Sequence, residues 1–249
     1  MIKAFEGDGS FCPDAPDPFL TKIRSLYDCY GTQYDFARFY TQFIKEKPVS
    51  YLSLFEGNAC LYLTADSDFR EIEEFVWFSG GASVIYNAEF PLEFNSGEEI
   101  KGDVLQYNKR GESPSESVTE PDIKAVYEVL KSCEAEDYAV PDYLPFLSDM
   151  THRKNMGKCA LSGIEKDGVL VSCAMTVSET KNAVVIGAVG TRPQYRRQGL
   201  SRQVVIALSE KYAARNRCVF VFSSNEYNTR FYENAGFEKV YRFIEKRMG

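Results

Sequence analysis

Residues 191–201, with the sequence TRPQYRRQGLS, contain residue types that could bind an anionic group. They lie between an apolar run and a helical pattern, where a strand leads into a helix. The first backbone N–H groups of a helix have no intrahelical partners, and together with the helix dipole they attract anions. Gly199 permits a close approach to the backbone, and Arg196, Arg197 and Arg202 add positive charge. We therefore predict a phosphate or diphosphate site, with a plain strand-to-helix turn carrying solvated arginines as the alternative.

Two familiar phosphate-binding loops do not describe this segment. The Walker pattern G-x-x-x-x-G-K-[ST] is missing, so the loop is not that of a P-loop nucleoside triphosphatase. The dinucleotide pattern G-x-G-x-x-G is also missing, because Gly187 and Gly190 fall on the predicted strand rather than in the turn. The predicted anion site is therefore neither a Walker loop nor a dinucleotide-binding loop.

Two motifs of the second half resemble those of the GNAT family of acyl-CoA N-acyltransferases. The first is V-x-[VT]-x-P-x-[YF]-[RQ]-x-x-G-x-[GA] between a strand and a helix, and it is matched by Val189, Thr191, Pro193, Tyr195, Arg196 and Gly199. Ser201 stands where the family usually has Gly or Ala. The second is N-x-x-A-x-x-[LF]-Y-x-x-x-G-F, and it is matched by Asn225, Phe231, Tyr232, Gly236 and Phe237. Asn228 takes the place of the usual Ala. The resemblance covers about residues 119–249.

The resemblance implies acetyl-CoA, or another acyl-CoA, as the cosubstrate, with no metal and with one coenzyme site per chain. Backbone N–H groups from Arg197 to Arg202 would hold the diphosphate, and Val189 and Thr191 would pair with the pantetheine arm. An N–H near Val189 or Gly190 would stabilise the oxyanion. The residues that this comparison assigns to the coenzyme are Val189, Gly190, Thr191, Arg196, Arg197, Gln198, Gly199, Leu200, Ser201, Arg202, Asn225 and Tyr232.

The catalytic assignments are also implied by the resemblance. Tyr232 matches the family's general acid, which would protonate the departing thiolate, and its alternative role is packing of a short helix. Asn225 matches a coenzyme contact, with a helix N-cap as the alternative. Glu179 and His152 are candidates for a base, although a solvated loop carboxylate and a helix-surface imidazole are the simpler interpretations.

The expected activity is transfer of an acetyl group to a primary amine of a small molecule or peptide. The alternative is a catalytically idle acyl-CoA-binding sensor or adaptor. A third hypothesis, aminoacyl transfer from tRNA, and general nucleic-acid binding are disfavoured by a net charge of −7. No apolar run reaches the roughly 20 residues that span a bilayer, so we expect no membrane partner. The seven cysteines form no C-x-x-C pair, which favours a cytoplasmic protein without zinc or disulfides. A monomer and a homodimer both remain open.

Periodicity predicts the elements that position these residues. A linker-like stretch at 108–122 suggests an N-terminal α+β lobe, residues 1–112, and an acyl-CoA-binding catalytic domain, residues 113–249. In the second half, two helices, a hairpin, a strand, a helix, a strand, a short helix and a strand are expected. In the first half, we expect helices over 16–30, 34–47 and 68–81, a hairpin over 49–65 with its turn at Gly57-Asn58, and a strand over 82–87.

The predicted fold class is α/β: a GNAT-like mixed, mostly antiparallel sheet flanked by helices, preceded by a smaller α+β lobe. Two helices followed by a hairpin are predicted in both halves of the chain. The first half is thus either a degenerate GNAT-like lobe or an unrelated cap domain.

Overall fold

The computed structural model describes residues 1–7, 11–94, 97–109, 111–134 and 140–248. They divide into two compact units. The first unit comprises Met1–Val104, Phe222–Thr229 and Lys239–Gly249, and the second comprises Leu105–Val221 and Arg230–Glu238. This division differs from two consecutive domains at 1–112 and 113–249, because two late segments of the chain group with the first unit.

The described residues form eleven strands and six α-helices. The strands are β1 (Ile2–Ala4), β2 (Ala37–Ile44), β3 (Lys47–Phe55), β4 (Asn58–Tyr62), β5 (Ser83–Asn87), β6 (Glu98–Tyr107), β7 (Leu161–Lys166), β8 (Val169–Glu179), β9 (Ala183–Thr191), β10 (Cys218–Ser223) and β11 (Phe237–Arg247). The helices are α1 (Pro18–Tyr30), α2 (Phe69–Phe78), α3 (Ile123–Lys131), α4 (Tyr143–Asn155), α5 (Leu200–Ala213) and α6 (Glu226–Asn234). None of the helices described is both long and apolar enough to span a membrane.

In the first unit the strand order is β1-β2-β3-β4-β5-β11. Neighbouring strands are antiparallel except for β4 and β5, which are parallel and joined through α2. The β3–β4 hairpin is confirmed, with Glu56 and Gly57 as the turn residues rather than Gly57-Asn58. Both have positive φ, as a two-residue hairpin turn requires. Ile72 and Val76 of α2 are buried in the core on one face of the sheet.

The prediction of a helix over residues 34–47 was wrong, because this segment contains strand β2. Its apolar residues match a helical period, but Ala37, Phe39 and Thr41 also alternate, and all three side chains are buried, as is that of Gln42. Aromatic and β-branched residues fit a half-buried pleated strand. Pairing with both β1 and β3 then favours the strand over an isolated helix.

In the second unit the strand order is β10-β9-β8-β7, and the end of β6, from Leu105 onward, belongs to the same unit. The β7–β8–β9 pairs are antiparallel, and β9 and β10 are parallel and connected through α5. Helices α3 and α4 pack on one apolar cluster, and α5 packs on another that includes Val171, Val184 and Ile186. The predicted fold class, a mixed and mostly antiparallel sheet flanked by helices, is confirmed.

Each unit, taken separately, repeats one motif. Three antiparallel strands are followed by a helix and then by a strand parallel to the third. The helix between the two parallel strands is α2 in the first unit and α5 in the second. The start of α5 is the junction at which the sequence predicts an anion site.

Candidate coenzyme site

Strand β9 has a free edge over its second half. Its parallel ladder with β10 ends where Ile186 lies opposite Val221, whereas β9 itself continues to Thr191. Residues 183–186 are buried, but Gly187, Ala188 and Val189 are partly exposed. Backbone groups of Gly187–Thr191 that face away from β8 therefore have no strand partner in this ladder. Such an edge can accept an extended amide-containing chain as an added strand.

A bulge interrupts β9 beside this edge. Cys173 of β8 pairs with Gly190 and Met175 pairs with Gly187, so two residues of β9 lie opposite one residue of β8. Ala188 has a φ of 48°, which is unusual for a residue with a side chain. An extra residue disturbs the alternation of N–H directions along the strand, so an N–H near Val189 can point to the free edge.

Helix α5 begins with uncapped backbone N–H groups. Gly199 is the N-cap residue with a φ of 74°, and as a glycine it has no side chain to accept a hydrogen bond from the first turn. The first intrahelical bond runs from the Gln203 N–H to the Gly199 carbonyl at 3.2 Å. Arg197, two residues earlier, also has a positive φ of 63°. Left-handed residues at alternate positions can turn successive N–H groups toward one side of the loop, a concave arrangement that suits an anion.

The arginines of the loop differ in their contacts. Arg196 donates from Nε to the Thr191 carbonyl at 3.2 Å, which holds the loop against the end of β9. Arg202 donates to the carbonyl of Asn234 at 3.0 Å and forms an ion pair with Glu112 at 2.6 Å. The Arg202 charge therefore has a carboxylate partner, which the sequence alone did not indicate.

An acidic segment, residues 111–118, lies along the same face of α5. The Ser115 hydroxyl and the Glu116 N–H donate to Oε1 of Gln203 at 3.0 and 2.7 Å. A cavity of about 240 Å³ separates part of this segment from the helix, lined by Glu112, Ser113, Pro114, Ser115, Gly199, Arg202, Gln203 and Ile206. The start of α5 thus faces an open space with polar walls.

Three hydroxyl groups connect the loop to the sheet. Oγ of Ser201, in the first turn of α5, lies 2.5 Å from Oγ1 of Thr191. Oγ1 of Thr191 lies 2.7 Å from Oγ of Ser172 on β8, and Ser172 donates to the Gly190 carbonyl at 3.1 Å. This hydroxyl chain explains how a serine is accommodated where the family motif has Gly or Ala.

Comparison with known proteins agrees with this geometry. Residues 123–237 match the sequence model of the Acetyltransferase (GNAT) family. Residues 123–237 are a GNAT domain. The matched range contains β9, the bulge, the loop and α5. No curated protein sequence matches the chain.

Solved structures share the fold over most or all of the chain. A GNAT acetyltransferase from Colwellia psychrerythraea aligns over 100% of both chains with a TM-score of 0.56 and 15% identity. A GCN5-related N-acetyltransferase from Sphaerobacter thermophilus aligns over 89% of this chain and 83% of its own, with a TM-score of 0.61 and 16% identity. A tandem GNAT protein of the clavulanic acid biosynthesis pathway aligns over 100% and 98%, with a TM-score of 0.54 and 13% identity.

The second motif of the GNAT domain lies on α6. Oδ1 of Asn225 accepts a hydrogen bond from the Asn228 N–H at 2.8 Å, so Asn225 caps the helix. Tyr232 is 8% exposed, and its ring lies 5.1 Å from that of Phe231 and 5.7 Å from that of Phe237. Asn225 belongs to the segment 222–229 of the first unit, whereas Tyr232 belongs to the second unit. Capping and packing are thus real roles of these residues, and they are compatible with coenzyme roles.

Glu179 lies away from the coenzyme loop. It is the last residue of β8 and pairs with Val184, so about 20 Å of strand separates it from the partner of Gly190. Its carboxylate accepts hydrogen bonds from Tyr212 and Arg217, both at 2.6 Å, and is nearly buried. The structure does not bring Glu179 together with the loop, and its contacts identify a buried structural carboxylate rather than a solvated one.

His152, the other candidate base, lies in the last turn of α4 and is partly buried. The residues described contain no group of three or more His, Cys, Asp and Glu placed to hold a metal ion. Residues Glu112 and Ser172 were missed by sequence reasoning. Each lies far along the chain from its partner, so no local spacing could have indicated either contact.

Proposed function

We propose that the protein is an N-acetyltransferase that transfers an acetyl group from acetyl-CoA to a primary amine of a small molecule or a peptide. GNAT acetyltransferases transfer an acyl group from an acyl-CoA to an amine, and residues 123–237 belong to that family. The choice of acetyl as the acyl group and the identity of the acceptor are parts of this proposal. All seven cysteines are free, which fits a reducing cytoplasm.

One observation carries the proposal: the free edge of β9 leads directly into the open start of α5. The edge at Gly187–Thr191 can pair with the amides of the pantetheine arm, and the loop that follows can hold a diphosphate. The strand edge and the loop therefore match the pantetheine arm and the diphosphate of coenzyme A, which follow each other in the same order in the coenzyme. A diphosphate site alone would not require the adjacent strand edge.

The bulge supplies the group that stabilises the transition state. A neutral amine attacks the carbonyl carbon of the thioester and forms the new C–N bond. Negative charge then develops on the carbonyl oxygen. A backbone N–H near Val189 or Gly190 can donate to that oxygen, an interaction commonly worth about 3 kcal/mol. The strained φ of Ala188 holds this N–H in position before the substrate arrives.

Tyr232 completes the reaction as the general acid. The C–S bond breaks, the CoA sulfur leaves as a thiolate, and the phenol hydroxyl protonates it. A phenol hydroxyl is a hydrogen-bond donor that can pass its proton to the sulfur. The proton lost by the acceptor amine goes to solvent, since Glu179 is held by Tyr212 and Arg217.

We also propose that the first unit is a degenerate GNAT lobe without a coenzyme site. Its strand and helix order repeats that of the second unit, which supports this origin. The junction that corresponds to the coenzyme loop is closed, because Oδ1 of Asp68 accepts a hydrogen bond from the Glu71 N–H at 3.1 Å. The Gln42 side chain bonds to both backbone groups of Asp68.

Two measurements test the proposal. Isothermal titration with acetyl-CoA should give one site per chain. Thiol release from acetyl-CoA should rise when a suitable member of an amine panel is added. No heat and no thermal shift at about 1 mM coenzyme would rule out the coenzyme site, since that concentration is at the upper end of the usual range of KM values. Binding without thiol release across the panel would refute the transferase activity alone.

A further inference from the structure

Ser172, Thr191 and Ser201 form a chain of hydrogen-bonded hydroxyls. The bond that Ser172 makes to a carbonyl determines which hydroxyl donates to which in this chain. A carbonyl can only accept, so the Ser172 proton is used in its bond to the Gly190 carbonyl. Thr191 must then donate to Ser172, and Ser201 must donate to Thr191. Each hydroxyl has a single proton, so the Ser201 proton points inward and only its lone pairs face outward.

This arrangement is unfavourable for an anion at the start of α5. The amide of Ser201 belongs to the first turn, whose N–H groups lack intrahelical partners. A phosphate oxygen that approaches those groups would also meet the Ser201 oxygen, and two acceptors repel each other. Ser201 can become a donor without the loss of a hydrogen bond in the chain only if the whole chain of hydroxyls reverses.

We propose that the hydroxyl chain is a reversible proton switch, in which Ser201 turns its hydroxyl outward to donate to the coenzyme diphosphate. Thr191 then donates to Ser201, and Ser172 donates to Thr191 instead of to the Gly190 carbonyl. No covalent bond changes, because each hydroxyl only rotates. The inference rests on the proposed function, since it assigns a further contact at the same diphosphate site.

The count of hydrogen bonds favours reversal when the anion is bound. Three bonds exist before reversal and three exist afterwards, but a bond to a neutral carbonyl is replaced by a bond to a charged oxygen. Hydrogen bonds to charged groups are roughly twice as strong as neutral ones. Ser172 is fully buried and Thr191 is 6% exposed, so water does not compete within the chain.

The decisive variants are Ser201→Ala and Ser172→Ala, with the affinities of CoA and of pantetheine measured by isothermal titration. Pantetheine lacks the diphosphate, so the ratio of its Kd to that of CoA isolates the contribution of the nucleotide end. We expect Ser201→Ala to weaken CoA about tenfold, or about 1.4 kcal/mol, and to leave pantetheine unchanged. We expect Ser172→Ala not to weaken CoA, because Thr191 is then free to donate to Ser201 permanently.

A rigid scaffold of hydroxyls predicts a different pattern. Removal of Ser172 would then loosen the loop and weaken CoA as much as removal of Ser201. The double variant should match Ser201→Ala if the switch operates. If Ser172→Ala does not fold, it is replaced by Ser172→Cys, which keeps a similar side-chain shape but has only a weak donor and a weak acceptor in place of the hydroxyl. Ser209→Ala is the matched control, because Ser209 lies on the same helix and donates to the Val205 carbonyl within it.

The outcomes separate the two proposals. Absence of CoA binding to the wild-type protein would refute the proposed function. Binding of CoA by the wild-type protein with an unchanged ratio in Ser201→Ala would overturn the switch and leave the function intact. A loss of CoA affinity in Ser172→Ala equal to that in Ser201→Ala would also overturn the switch.

Discussion

Replacement of Glu112 by Gln should increase the affinity for coenzyme and reduce the stability of the fold. The Glu112 carboxylate lies 2.6 Å from Arg202 and 2.7 Å from Lys109, so it neutralises cations beside the proposed diphosphate site. A unit charge about 8–10 Å from each of two phosphate charges contributes about 1 kcal/mol in total in a mainly aqueous environment. Removal of that repulsion corresponds to roughly fivefold tighter binding of CoA.

The stability effect has the opposite sign. The two ion pairs are partly exposed, and such pairs contribute about 0.2–1 kcal/mol each to the free energy of unfolding. Arg202, and then Lys109, lower the pKa of Glu112. A lowered pKa in the folded state means that this stabilisation is present above the ordinary pKa of Glu. It is lost as the pH falls through the lowered pKa. Wild type and variant should therefore converge in stability at acidic pH.

Isothermal titration with CoA and urea denaturation measure the two effects. Glu116→Gln is the matched control, because it makes the same change in charge on the same acidic segment while its partner is Lys166 on β7. The gain in affinity of Glu112→Gln should shrink as salt is added, since the interaction is partly solvent-exposed. Weaker binding of CoA by Glu112→Gln, or an equal gain in affinity by Glu116→Gln, would contradict a repulsion between Glu112 and the diphosphate.

Three further variants test the assignments of single residues. Tyr232→Phe should lower kcat about 100-fold, as loss of a general acid does, and should leave the Kd for CoA nearly unchanged. A large loss of CoA affinity would instead indicate that Tyr232 has a structural role. Glu179→Gln should lower the free energy of unfolding by about 1.5–3 kcal/mol and leave the rate of thiol release unchanged. Loss of turnover in a variant that still folds would indicate that Glu179 acts as a base. Asp68→Ala should lower the unfolding free energy by about 1 kcal/mol, measured in urea, without changing the Kd for CoA.

Much of the second unit was predictable because its elements are encoded locally. The β7–β8 hairpin follows from Asp167-Gly168, whose positive φ values suit a two-residue turn. Helix α3 begins at Ile123 because Asp122 caps it, with a hydrogen bond from the Lys124 N–H at 2.8 Å. The apolar run of β9 and Gly199 after it mark the strand-to-helix junction.

The features that were not predictable depend on contacts between distant parts of the chain. The free edge of β9 exists because the ladder with β10 ends at Ile186, and no residue of β9 marks that point. The bulge at Ala188 lacks the glycine that would usually indicate a left-handed residue. The pairing of Glu112 with Arg202 joins a linker-like stretch to a helix, so charge patterning within either segment could not reveal it.

Side chains, rather than topology, decide which of the two repeated junctions can bind an anion. In the first unit, Asp68 and the buried amide of Gln42 use the backbone groups at the start of α2, and Glu71 adds a carboxylate to the same turn. An anion there would have to displace these bonds and approach two negative charges. In the second unit, Gly199 offers neither a competing acceptor nor a charge. The same strand-to-helix geometry therefore gives a self-contained cap in one unit and, in the other, the open helix start that we propose as the anion site.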